Sequence, residues 1–294
     1  MKKILLLSSF VIVLMGCGPR LIYPHLEWLI PWYVSDYISL DGTQKNMLQK
    51  RLHKQLAWHC RTQLPAYAES LRSIGRDFAD AEQPINYAKI RFHINKLMEL
   101  YKGLLKQIGP DIYAILITAS DAQIAELFDN LKKQNQEFKA EYVNLPIHQL
   151  NEKRQKRSIK RLKYWISNLT AGQKEAISAW NSQLVPNAKD WLQNREILQT
   201  EARRLLSRRG SSPEFRAALL ELIVNPEQLR TPAYQAKIDA NIDMTIRFII
   251  RLDRLITPQQ RSYLLKRIES LAADFDKLSC DPKDVPRPGA GDEN

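Results

Sequence analysis

Three groups of side chains in this sequence have types and spacings suited to chemistry: a run of cations, scattered histidines and acids, and three cysteines. The run NEKRQKRSIKRLKYW places Lys153, Arg154, Lys156, Arg157, Lys160, Arg161 and Lys163 on one segment behind Glu152. Only Ile159, Leu162 and Ile166 mark an apolar side, so most of that segment must meet water or a polyanion. A second cluster, Arg203, Arg204, Arg208 and Arg209, lies beside Gly210. Guanidinium groups pair with phosphate or carboxylate in two-point, charge-assisted hydrogen bonds, which makes both clusters a candidate surface for an anionic partner. A charge run is also what a solvated helix face looks like, and both readings stand.

The remaining polar residues point away from catalysis. His59, next to Trp58, could bind a metal, titrate, or simply favour a helix C-terminus, here placed just before Leu64-Pro65. The other histidines are His25, His53, His93 and His148, and His53 and His59 are too far out of register to share a helix face. With no cysteine pair or HExxH pattern nearby, a structural role is expected, with no metal and no cofactor. Asp239, Asp243, Arg247 and Arg251 step by four; they read as an ion-pair ladder rather than a paired acid and base. Nucleophile-elbow, phosphate-loop, dinucleotide and zinc signatures are missing, so a binding protein is expected rather than an enzyme.

The elements that must position these groups are helices. Ile90, Ile94, Leu97, Tyr101, Leu104 and Ile108 recur at steps of four and three, a seam expected to bury against other helices and to stop at Gly109-Pro110. A second seam runs Ile124, Phe128, Leu131, Asn135, Phe138, Tyr142 and Leu145 and ends at Pro146, with Asn135 placed to fix register. Further apolar lines pass through Ile238, Ile242, Ile246 and Ile249, and through Leu264, Ile268, Leu271, Phe275 and Leu278. No stretch alternates like a strand. Asp41, Ser120, Thr170 and Thr257 each stand three residues before a Gln, the capping-box spacing.

The expected fold is therefore all-α, an elongated multi-helix bundle. Residues 17–38 would form a tether and first helix, 39–146 an N-terminal helical half, 147–280 a C-terminal half, and 281–294 a disordered tail. The order of landmarks, Gln44-Lys45, Leu64-Pro65 and Ser120 against Gln173-Lys174, Val185-Pro186 and Thr257, hints that the halves are tandem relatives.

The start of the chain bears on location. Lys2 and Lys3 precede an apolar run over residues 4–15. As a helix it would reach only about 18 Å, short of the roughly 30 Å of a bilayer core, so an export signal over residues 1–16 is expected rather than a span. The run closes Leu14-Met15-Gly16-Cys17, which resembles the lipobox of bacterial lipoproteins. That resemblance implies that Cys17 becomes the N-terminus and carries acyl chains of the palmitate type. With Gly18 next, it implies lipid anchoring on the periplasmic face of the outer membrane, with outer-membrane lipid as a partner. Removing the signal lowers the formal charge from +12 to +10. In that compartment nucleic acid is not the expected partner; an envelope protein or an anionic envelope polymer is. Cys60 and Cys280 would then remain as an even pair in an oxidising space, either bridged or two separate buried thiols. Trp28, Trp32 and Tyr33 follow closely enough to sit near the membrane or to pack in the core. Oligomeric state has no sequence signal.

Residues 21–71 resemble an uncharacterised family of proteobacterial outer-membrane lipoproteins, catalogued as a domain of unknown function. The residues that carry the likeness are Leu21, Tyr23, Trp28, Tyr37, Leu40, Asp41, Gln44, Trp58, His59, Leu64, Pro65 and Tyr67. The chain departs from the family pattern at Cys60, where an Arg is usual, and at Gln63, where a Glu is usual. A looser resemblance, through Leu169, Thr170 and Gln173 and through Ile256, Thr257 and Gln260, is to periplasmic chaperones of the Spy and CpxP type. The expected function is a lipid-anchored periplasmic protein that holds an envelope partner on a helical, partly basic surface. The alternatives are a chaperone-like holdase and a regulator of cell-wall metabolism.

Overall fold

All four capping boxes begin helices: Asp41, Ser120, Thr170 and Thr257 each accept from the backbone amide three residues on, and each paired Gln reaches back to its cap. The computed structural model describes residues 18–280. Its helices are α1 (Pro19–Ile22), α2 (Leu26–Ser35), α3 (Gly42–Ala79), α4 (Tyr87–Leu116), α5 (Asp121–Phe138), α6 (Ile147–Ile166) and α7 (Ala171–Gln183), then α8 (Ala188–Leu206), α9 (Pro213–Val224), α10 (Pro232–Leu255) and α11 (Pro258–Leu278). There is no β-strand among the described residues, and the helices form an elongated bundle. The longest, α3, has 38 residues and reaches about 57 Å.

Two expected helix ends do not occur. α3 runs unbroken through Pro65, and α4 through Gly109-Pro110. A proline inside a helix costs about 3 kcal/mol, but the penalty is local. Around Pro65, Leu64 and Ala68 are each 1 % exposed and share a core with Ala272 and Phe275, so burial holds the helix straight through the break. At Gly109 the reason is close approach: a Cβ would stand 3.2 Å from Leu220 of α9. The expected helix end at His59 is likewise replaced by the middle of α3.

The capping glutamines also pair with one another, which the local motif does not reveal. Gln44 and Gln123 exchange side-chain amide hydrogen bonds at 3.1 and 2.7 Å, joining the starts of α3 and α5. Gln173 and Gln260 do the same at 2.7 and 3.0 Å, joining α7 and α11. Each side-chain NH2 makes a second bond, to the carbonyl five residues before its partner: Thr118, Ser39, Leu255 and Asn168 in turn. Asn135 and Gln199 form a further reciprocal pair between α5 and α8, with the shorter bond at 2.7 Å, so the polar break in that seam has a cross-helix partner.

Packing crosses the sequence boundary near residue 146. Leu205 and Leu206 of α8 and Phe215 and Leu219 of α9 are buried with Ile38, Leu40, Ile124 and Phe128. In return, Leu71, Ile74 and Phe78 of α3 pack on the core built by Ile177, Phe248, Leu252, Leu264 and Ile268. α3 thus serves as a spine for both cores. The α4 seam is buried only at its start: Ile90 is covered, whereas Leu97 and Tyr101 are 48 % and 51 % exposed, because the α10 contact follows only part of α4.

Cys60 and Cys280 are bridged, with Cα atoms 5.2 Å apart and 220 residues between them in sequence. The bond ties the middle of α3 to the end of α11, where the Cys280 amide donates to the Cys60 carbonyl at 3.3 Å. Arg72 reinforces this contact by pairing with both Glu269 and Asp276. The bridge corrects the expectation of outer-membrane lipid as a partner through an acylated Cys17: the cysteine bond that the structure holds joins Cys60 to Cys280 within the chain. Cys17 itself, with the expected signal over residues 1–16 and the expected tail over 281–294, lies outside the described residues.

Closing so long a loop should matter to stability. Reduction, or the Cys280→Ser substitution, is expected to lower the unfolding free energy by about 5 kcal/mol on the chain-entropy scale. Urea unfolding of oxidised and reduced protein checks this, and coincident midpoints would show that the bridge constrains nothing.

Candidate anionic-partner surface

α6 carries its cations on the side the core does not use. Lys153, Lys156, Lys160 and Lys163 step by three, four and three residues, so they line one helix face, with Arg157 beside them. Ser158 and Ile166 are buried on the other side, and Ile159, Leu162 and Trp165 pack against the α7, α10 and α11 core. The stripe is about 15 Å long. No carboxylate pairs with any of its seven cations among the described residues. Glu152, the acid at the head of the run, is exposed.

The arginines at the margin of the stripe are under mutual strain. Arg154 is half-buried and Arg161 exposed, and partial desolvation first, then repulsion from Arg157, lowers the affinity of each guanidinium for its proton. Arg154 donates to the Asn181 carbonyl at 3.3 Å, and Arg157 stands 5.5 Å from the centre of the Tyr142 ring. An arriving anion would relieve all three. One further cation belongs here: Arg267 of α11 lies 4.0 Å over the ring of Tyr164, one turn after Lys160, and its Nε is buried with no hydrogen-bond partner. No periodic signal joins positions a hundred residues apart, so sequence reasoning missed it.

The second cluster is occupied by the fold. Arg203 stacks over Phe128 at 5.1 Å, Arg204 pairs with Glu201 at 2.6 Å, and Arg209 holds the Ala119 carbonyl at 2.8 Å and Asp121 at 2.6 Å. Arg208 stays exposed. Arg203 and Arg209 pin the end of α8 to α5, which separates them in role from the α6 stripe.

The family-motif residues divide between two places. Asp41 caps Gln44, which forms the first amide clasp with Gln123, Leu40 is buried in the core, and Tyr37 donates to Gln134 at 3.0 Å while sharing a 2.6 Å hydrogen bond with Tyr33. Tyr23, His59 and Tyr67 gather beside the disulfide: Tyr23 and His59 share a hydrogen bond at 3.1 Å, and Tyr67 meets His59 and Phe275 edge-on at 5.6 and 5.8 Å. Leu64 is buried below them, Pro65 is exposed, and Trp58 lies edge-on to His59. Leu21 and Trp28 project to solvent, Trp28 stacked on Trp32. Desolvation pushes the Tyr23 hydroxyl up to about 12 and the His59 imidazole down to about 4, so the half-buried His59 ring is neutral at pH 7. No group of metal-binding side chains occurs among the described residues, and none of their helices is long and apolar enough to cross a membrane. Asp243 and Arg247 form an exposed ion pair at 2.7 Å, as the spacing suggested.

The profile described as a family of unknown function, DUF6279, matches residues 36–235. α11, with Gln260, and the disulfide partner Cys280 lie beyond that match. No curated protein and no solved structure matches the chain.

The depressed His59 pKa has a definite sign. Above about pH 6.5 the ring is neutral folded and unfolded, and contributes nothing; as pH falls, the unfolded chain takes up a proton that the folded chain refuses until about 4. Stability should therefore drop across that window, by on the order of 2–3 kcal/mol. Urea midpoints of the protein and of His59→Phe, compared at pH 7 and pH 4.5, test it; parallel loss in both would remove His59 as the cause.

Proposed function

The chain belongs to the DUF6279 family, to which no function is attached, and from that premise we propose that it is a non-enzymatic binding protein of an oxidising, extracytoplasmic compartment. It holds an anionic partner of the cell envelope on the exposed face of α6. The observation that carries this reading is the stripe of cations without carboxylates, kept at mutual repulsion on a helix whose opposite side is fixed in the core. A merely solvated helix gains more from mixed charges at helical spacing, as Asp243 and Arg247 illustrate on α10. The disulfide is compatible with an oxidising, periplasm-like environment and is rare in reducing ones.

Attraction of this kind is long-ranged at low salt and fades beyond a Debye length of about 10 Å at 0.1 M. The full chain should retain polyphosphate or polyglutamate at low ionic strength and release it as salt rises. Lys153→Gln, Lys156→Gln, Lys160→Gln and Lys163→Gln together should weaken retention by about tenfold or more. The reading fails if retention ignores salt, or if the quadruple variant binds as the parent does.

A further inference from the structure

α3 and α4 run antiparallel, tied near their hairpin by Asp77 and His93 and at the start of α3 by Gln44 and the Thr118 carbonyl, and an open groove of about 720 Å³ lined by both helices lies between these ties. Ligand sites commonly measure about 300–1,000 Å³. Polar side chains link the two helices across the groove. Arg51 is ion-paired to Asp111, and Gln55 donates to Asp111 at 2.6 Å. These links span the groove and leave the Gln55 carbonyl oxygen buried with no partner. Such an oxygen is costly unless a donor reaches it.

The charge is one-sided. Lys50 and Lys54, one helical turn apart, line the groove with exposed side chains and no ion pair among the described residues. Because Arg51 and Asp111 neutralise each other, the lining carries a net formal charge of +2. Met47 is its single apolar member; Asn46 and Gln107 add amides. Trp58 follows one turn beyond Lys54 on the same face of α3, and Gly103 lies two turns before Asp111 on the facing helix, with no atom within 4 Å of where its Cβ would be. The groove therefore has room to extend toward an aromatic ring.

We propose that this groove binds an anionic sugar. Its carboxylate or phosphate is held by Lys50 and Lys54, and its hydroxyls by Asn46, Gln55, Gln107 and Asp111. An apolar ligand would bury amides and charges without partners, which the lining excludes. A bare anion would leave the buried Gln55 oxygen without a donor, whereas a sugar hydroxyl can donate to it. The Trp58 face suits a pyranose ring extending from the cationic end. The site is separate from the α6 stripe and does not depend on it.

Calorimetric titration of the full chain with trigalacturonic acid, glucose 1-phosphate and neutral maltotriose tests this. At least one anionic sugar should bind about tenfold or more tightly than maltotriose, and the two arms tell a carboxylate from a phosphate. The double variant K50Q/K54Q should lose that preference while keeping the parent's helical circular dichroism, since both side chains are exposed. The double variant K156Q/K160Q should keep it. Failure of both anionic sugars to bind, an equal response to maltotriose, survival of the preference in K50Q/K54Q, or its loss in K156Q/K160Q would each overturn the assignment.

Discussion

Two pairs of glutamines, with Gln44, Gln173 and Gln260 buried and Gln123 half-buried, set the geometry on which the rest of this fold depends. A primary amide has two lone pairs on its oxygen and two N–H donors. In Gln173, which is fully buried, the oxygen takes the Thr170 amide and one N–H of Gln260, while its own N–H groups reach Gln260 and the Leu255 carbonyl. Gln260, Gln44 and Gln123 are satisfied in the same way. Each pair joins two helix starts and a backbone carbonyl just before each, so it fixes not only that the helices begin but how they sit against one another. A slip of one residue would strand several buried groups, at about 1–3 kcal/mol apiece.

The cores and the disulfide work within that frame. One clasp anchors the start of α3 and the other anchors the start of α11, and these two helices then pack along each other to the Cys60–Cys280 bridge. The spine that results is long enough to carry two cores, and it leaves surfaces the cores do not need. The α6 stripe and the α3–α4 groove are both of that kind: positions where the chain keeps cations that no internal acid neutralises. Affinity for anions on a basic protein is in this view a by-product of where the packing stops, with the fold supplying the spacing.

How much of this was legible in the sequence follows the distance over which each signal acts. The capping boxes operate over three residues, and all four were readable; their mutual pairing acts over 79 and 87 residues and left no trace in a single sequence. All-helical class followed from the apolar periods, yet the same periods overstated burial at Leu97 and Tyr101, because periodicity shows which face is apolar and not how far a neighbour extends along it. Pro65 and Gly109-Pro110 were read as breaks because their local cost is real, and tertiary burial outweighed it. Composition alone grouped Arg203, Arg204, Arg208 and Arg209 with the α6 run; only the structure separates those engaged with Phe128, Glu201 and Asp121 from those left free. Lys50 and Lys54 were overlooked because two lysines a turn apart on an exposed helix look ordinary until the facing helix is seen.

The central claim is that the glutamines act as pairs rather than as four independent caps, and a double-mutant cycle measures that directly. Gln173→Leu and Gln260→Leu, singly and together, would be unfolded in urea. Pairing predicts that each single change leaves a buried amide orphaned and costs about 2–3 kcal/mol, and that the double variant is more stable than the sum by more than about 1 kcal/mol. Additivity within about 0.5 kcal/mol would contradict it.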